Sequence, residues 1–210
     1  MYATHTLPRP QSHMNKHPHK IELAILPSED YKRFLERIVY DYPGVSDNIA
    51  YHFSYLEYLY QILHELPLRG YRVLNGLRIK TIIVEIASCA EVLLYDAITN
   101  LSVRDSWGGK YSMGLERVGF APLLKHALNF GVVEKGLHGR LAKLFTLRHK
   151  IHLTHRRRDP YEFTEALLRE SERTLEDLLR HFISKRQREI STAYRKRVTK
   201  ADLVLPWKRV

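Results

Sequence analysis

Arg148 and His155 stand seven residues apart in Leu147-Arg148-His149-Lys150-Ile151-His152-Leu153-Thr154-His155. Seven residues are close to two turns of an α-helix, so a helical segment puts both side chains on one face. An Arg to hold a phosphate and a His to move a proton are the minimum equipment for cleaving RNA without a metal. His152 falls on the same stripe. A chain with 21 Arg and 12 His shows an Arg followed by four to six residues and then a His roughly three times by chance, so spacing alone proves little. It occurs once here, directly after an apolar helix and before a capped one. A bland reading of the same residues stays open: Arg148 caps carbonyls or pairs with Glu91, and His155 sits on the surface of a basic turn.

The elements that must position this pair read as helices throughout. Residues 137–153 place Leu137, Leu141, Leu144, Leu147 and Ile151 on one face, with Arg148 at its margin. The following helix is predicted from about 160 to 184, through Phe163, Leu167, Leu175, Leu178 and Phe182. Its start signal is Asp159-Pro160-Tyr161-Glu162, where Asp can cap, Pro suits the first position, and Glu can reach back. That start confines His155 to the end of the motif helix or the turn after it. Upstream, residues 73–101 are apolar nearly all round, and such a helix belongs at the centre of a bundle. Glu91 lies within it. A carboxylate on a buried helix wants a cationic partner, and Arg148 is the candidate; an exposed Glu91 is the alternative.

The remaining punctuation fits the same architecture. A short amphipathic helix is expected from Ser28 to Tyr42, interrupted by Pro43-Gly44, with Ser46 or Asp47 able to cap the next helix. That helix carries Ile49, Phe53, Leu56, Tyr60 and Leu63 at 4-3-4-3 spacing and ends at Pro67 and Gly70. Its Tyr51, Tyr55 and Tyr58 can stack on unpaired bases, although helical aromatics more often pack. Ser102 to Gly114 reads as a loop. Its Trp107-Gly108-Gly109-Lys110 lacks both the preceding strand and the spacing of a phosphate-binding loop. Residues 120–130 form a short helix with Gly131 as its C-cap. No strand-like alternation with turn signals occurs, so the fold class is all-α, an up-and-down bundle of five to six helices.

These segments resemble the HEPN superfamily of all-α ribonucleases and nucleotide-binding domains, whose defining motif is an Arg, four to six residues and a His at the end of a helix. Arg148 and His155 match the longest form of that motif. Ile86-Ala87-Ser88-Cys89-Ala90-Glu91-Val92-Leu93-Leu94 is similar to the family's long central helix, and Phe120 to Gly131 to the next, so the resemblance covers about residues 73–183. The family often has a polar residue, frequently Asn, directly after the Arg; here that position is His149. The resemblance implies a metal-independent endoribonuclease. His155 exchanges a proton with the ribose 2′-hydroxyl or the leaving oxygen, Arg148 stabilises charge on the scissile phosphate, and a 2′,3′-cyclic phosphate results. It also implies a homodimer with the site at the interface, and a toxin-antitoxin or phage-defence setting with a possible antitoxin or regulatory protein. His152 is a candidate second proton carrier, His149 can orient phosphate or a ring nitrogen, and Glu91 supports Arg148. No cofactor and no metal are implied.

Composition narrows the alternatives. A 210-residue chain with 44% hydrophobic residues is enough for one domain with a core plus tails. We divide it into a flexible arm (1–20), a helical domain (21–184) and a basic tail or helix extension (185–210). A net charge of +11 favours a polyanion such as RNA. Arg156, Arg157 and Arg158 follow the motif directly, and residues 185–209 hold nine Lys or Arg against Glu189 and Asp202. The single Cys89, inside an apolar run, excludes a disulfide framework and a thiolate metal site and points to a reducing cytoplasm. His17 and His19 lack the company of a ligand set. No apolar run has the length of a membrane span, and no export signal opens the chain. A DNA-binding regulator would need a helix-turn-helix with an exposed recognition helix, for which there is no candidate. The competing function is a non-catalytic HEPN-like module that binds RNA or protein.

Overall fold

The computed structural model describes residues 25, 27–35, 44–66, 71–104, 119–150 and 163–190. They form six helices: α1 (Ser28–Leu35), α2 (Val45–Glu65), α3 (Arg72–Arg104), α4 (Phe120–Asn129), α5 (Lys135–Lys150) and α6 (Glu165–Ile190). The fold is an all-α bundle, as the sequence predicts. One connected cluster of buried side chains draws on every helix. The N-terminal arm, Trp107-Gly108-Gly109-Lys110, Asp159 to Glu162 and the tail beyond Ile190 lie outside the described residues.

The central position expected for the most apolar helix is the one α3 takes. It packs against α2, α4, α5 and α6, burying Ile79, Ile82, Ile83, Ile86, Leu93, Leu94 and Ile98. Its 33 residues span about 50 Å. It also runs further than predicted, through Ser102, Val103 and Arg104, because no Gly or Pro stands before Gly108 to break it. Cys89 is fully buried, and burial, reinforced by the charge of Glu85, pushes its thiol up, away from the nucleophilic thiolate.

Local signals decide the helix ends, with two corrections. Helix α2 begins ahead of Ser46 and Asp47: Gly44, at φ 84°, turns the chain in, and Asn48 N–H already bonds the Gly44 carbonyl at 3.1 Å. A left-handed residue there favours Gly over any side-chain cap, and Asp47 instead pairs with Lys32 of α1. Helix α6 begins at Glu165 rather than near 160. Thr164 caps it, its Oγ1 accepting from Leu167 N–H at 3.3 Å, while Phe163 and Leu168, both buried, occupy the two positions of a hydrophobic staple. At its other end α6 continues past 184 to Ile190. The Gly131 cap is as expected. At φ 64° it lets its own N–H bond Leu128 O at 3.0 Å and Val132 N–H bond Ala127 O at 2.8 Å, the paired bonds of a Schellman ending.

Candidate functional site

Helix α5 positions Arg148 by burying what precedes it. Leu141, Leu144 and Phe145 are in the core, Leu147 is half-buried against it, and Arg148 comes next at the margin of that face. Its side chain is 32% exposed and its Nη1 donates to Glu91 Oε2 on α3, itself 29% exposed. Both are accessible from solvent, yet Glu91 sits beside the buried Ala90, Leu93 and Leu94. The carboxylate therefore holds the guanidinium from the central helix of the bundle. A guanidinium carries five N–H donors in a planar fork, more than one carboxylate can take.

His149 follows on α5 and is exposed. His152, His155, Arg156, Arg157 and Arg158 fall in 151–162, outside the described residues. Of the candidate residues the structure thus joins Arg148 to Glu91 and sets His149 beside them in the chain.

Two features went unread in the sequence. One is a groove of about 380 Å³ between α5 and α6, lined by Lys143, Leu144, Leu147, Leu167 and Ser171 among others. Leu147 lines it, so it opens one residue away from Arg148. Arg140 pairs with Asp177 at 3.0 Å and Lys143 with Glu170 at 3.7 Å across it, which shows α5 and α6 to be antiparallel and leaves the rim without excess charge. The hydroxyls of Thr146, Ser171 and Thr174 donate to carbonyls one turn back on their own helices and so present acceptors to the groove. The 140-143-147 spacing was its only sequence signal.

The other is a His52–Glu85 pair between α2 and α3. The hydrogen bond to Glu85 holds the His52 pKa above 6.5, against the opposing effect of burial. Glu85 lies six residues before Glu91, about 9 Å along the helix axis, so this pair is a separate feature. Neighbouring ties between helices are structural: Tyr31 donates to the buried Glu57 at 2.7 Å. Tyr60 donates to Glu172, and burial with the nearby carboxylate raises its hydroxyl's pKa. Among the described residues no three His, Cys, Asp or Glu side chains converge as a metal site, and no helix is long and apolar enough to cross a membrane.

No family model, no curated protein and no solved structure matches the chain.

Proposed function

We propose that the protein is a metal-independent endoribonuclease of HEPN type, with Arg148 stabilising charge on the scissile phosphate and His155 exchanging the proton of the 2′-hydroxyl or leaving oxygen. The observation that carries this reading is the state of Arg148. It is oriented by a carboxylate from the central helix, remains a third exposed, and stands at the end of α5, seven residues before the single His that completes the motif. A preorganised, accessible guanidinium is what transition-state stabilisation at a phosphate requires. The net charge of +11 supplies the long-range attraction for RNA, and Arg156, Arg157 and Arg158 are the RNA-binding residues. A homodimer would bring two motifs together and supply both an acid and a base. A toxin-antitoxin or phage-defence effector, restrained by an antitoxin, is the setting that accompanies this chemistry.

The same ion pair favours one alternative. An Arg satisfied by Glu91 is also what a structural residue looks like, and the chain would then be a non-catalytic module that binds RNA or a partner protein. The deciding experiment incubates mixed-sequence RNA and its DNA counterpart, with EDTA present, with the protein and with Arg148→Ala and His155→Ala variants. The proposal expects RNA-only cleavage with cyclic phosphate ends, lost in both variants. RNA bound but uncut, or cleavage persisting in both variants, overturns it.

A further inference from the structure

Seven of the eight exposed large hydrophobics of the described residues stand on α2, on α3 or at their facing ends, and only Ile25 lies elsewhere. Leu66, just past α2, is 42% exposed, and Tyr71, Val73, Leu74 and Leu77, where α3 starts, are 63, 41, 48 and 42% exposed. Scattered exposed leucines need no explanation, but a contiguous group does.

The group at the start of α3 is one ridge with a charged border. Successive residues turn by about 100° around a helix, so Val73, Leu77, Thr81 and Leu74 fall in a single sector about 100° wide. The Thr81 hydroxyl is already bonded to Leu77 O at 3.0 Å. Half-buried Lys80 lies at one edge of that sector and half-buried Arg78 at the other. Arg78 donates to Leu66 O, a carbonyl and not a carboxylate, which ties the end of α2 to this edge and leaves the charge uncompensated. The stretch 66–84 holds Arg69, Arg72, Arg78 and Lys80 and no acid; Glu65 precedes it. Across the seam marked by the Arg78–Leu66 and His52–Glu85 contacts, α2 exposes Tyr51 and Tyr55, 62 and 45%, opposite its buried Ile49, Phe53, Leu56 and Tyr60.

We infer that this outer side of the α2–α3 hairpin seats the chain on an anionic lipid bilayer, with Leu74 and Leu77 at the acyl boundary and Arg78 and Lys80 among the headgroups. Apolar side chains bordered by cations are the surface such an interface takes. The tyrosines suit its headgroup level, where an amphipathic ring is half wet. Other occupants answer only part of the surface. RNA meets the cations and leaves the leucines uncovered. The basic tail and a second copy bring further cations. A partner's helix lies in a groove, whereas Leu74 and Leu77 crown a single helix. Among the described residues no helix is long and apolar enough to cross a membrane, so the contact is one of seating on the surface. Leu77 stands 14 residues before Glu91, about 20 Å along α3, and the inference is independent of the ribonuclease reading.

Co-sedimentation of the full chain, freed of nucleic acid, with vesicles of phosphatidylcholine alone or mixed with phosphatidylglycerol tests it, at about 0.15 M salt. We expect binding to the mixed vesicles only, weakened about tenfold or more by Leu74→Ser with Leu77→Ser, which leaves the net charge unchanged. Lys80→Glu should weaken it at least about fivefold. Brominated lipid should quench the emission of Leu77→Trp beyond that of the wild type, whose own tryptophans are Trp107 and Trp207. Circular dichroism establishes that each variant is folded, and Lys80→Glu with Leu77→Trp serve if the Ser pair fails. Binding to neither vesicle, or equal binding to both, overturns the inference. So does binding that the Ser pair leaves unchanged, which would show attraction by net charge alone, or that Lys80→Glu leaves unchanged, or quenching no greater than in the wild type. A chain that ignores both vesicles and loses self-association in the Ser pair gives the face to a second copy and overturns it too.

Discussion

A double-mutant cycle on Glu91 and Arg148 measures how firmly α3 holds the motif helix. The perturbation is Glu91→Gln, which is nearly isosteric, Arg148→Gln, which is shorter and uncharged, and the two together. Both partners are about 30% exposed, so the pair lies between two limits. Exposed pairs couple by about 0.2–1 kcal/mol, while removing one partner of a fully buried pair costs about 3–5 kcal/mol. We expect a coupling energy of about 1 kcal/mol, with each single variant destabilised by about 1–2 kcal/mol. For a chain of 210 residues that is a fall in Tm of about 2–8 °C. Urea denaturation followed by circular dichroism supplies the cycle. RNA cleavage, assayed well below the lowered Tm, separates folding from chemistry: Arg148→Gln should abolish it, and Glu91→Gln should slow it less by freeing the guanidinium. A coupling energy indistinguishable from zero would refute the argument that Glu91 positions Arg148. Cleavage falling only in proportion to folded protein would refute a chemical role for the Arg.

The remaining predictions concern other parts of the bundle. His52, with its pKa held above 6.5 by Glu85, contributes stability that is fully present below pH 6.5 and is lost as pH rises through its folded-state pKa. The wild type should therefore be more stable at pH 6 than at pH 8 by a margin that His52→Gln reduces, and equal pH profiles for the two in urea denaturation would contradict this. Gly131→Ala places a Cβ on a residue at φ 64° and should cost about 1 kcal/mol; an unchanged denaturation midpoint would show that the turn relaxes.

The legible parts of this fold are those where one local property leaves a single solution. A helix apolar nearly all round, as from Ile79 to Ile98, has to be central; for Glu91 on it the sequence left a cation or solvent as alternatives, and the structure supplies Arg148. Gly131 follows an amphipathic run and ends it for want of a Cβ. The parts that escaped turn on competition between neighbouring signals or on residues far away in sequence. Ser46 and Asp47 have cap chemistry as good as any, but Gly44 enters the left-handed region first and starts the helix before them. Thr164 is a weaker signal than Asp159-Pro160, yet it is the cap of α6, with the buried Phe163 fixing the chain just before it. The 143-147 edge of the α5–α6 groove and the His52–Glu85 pair are each defined by which helix stands opposite. Periodicity reports that a face exists and is silent on its neighbour.

How an Arg already paired can serve a phosphate follows from its shape. The pair with Glu91 engages Nη1, and the planar fork of five donors is oriented by that contact without being exhausted. A lysine would meet Glu91 with a single ammonium, keeping the ion pair and losing the fork. Arg148→Lys therefore sets the two roles of the residue against each other. If Arg148 only ties α5 to α3, the lysine variant retains both stability and any cleavage. If it grips a scissile phosphate while Glu91 aims it, the variant keeps most of its stability, within about 1 kcal/mol, and loses cleavage nearly as completely as Arg148→Ala. Urea denaturation and an RNA cleavage time course on the same preparations decide it, and a lysine variant that cleaves at the wild-type rate would refute the phosphate role for the guanidinium.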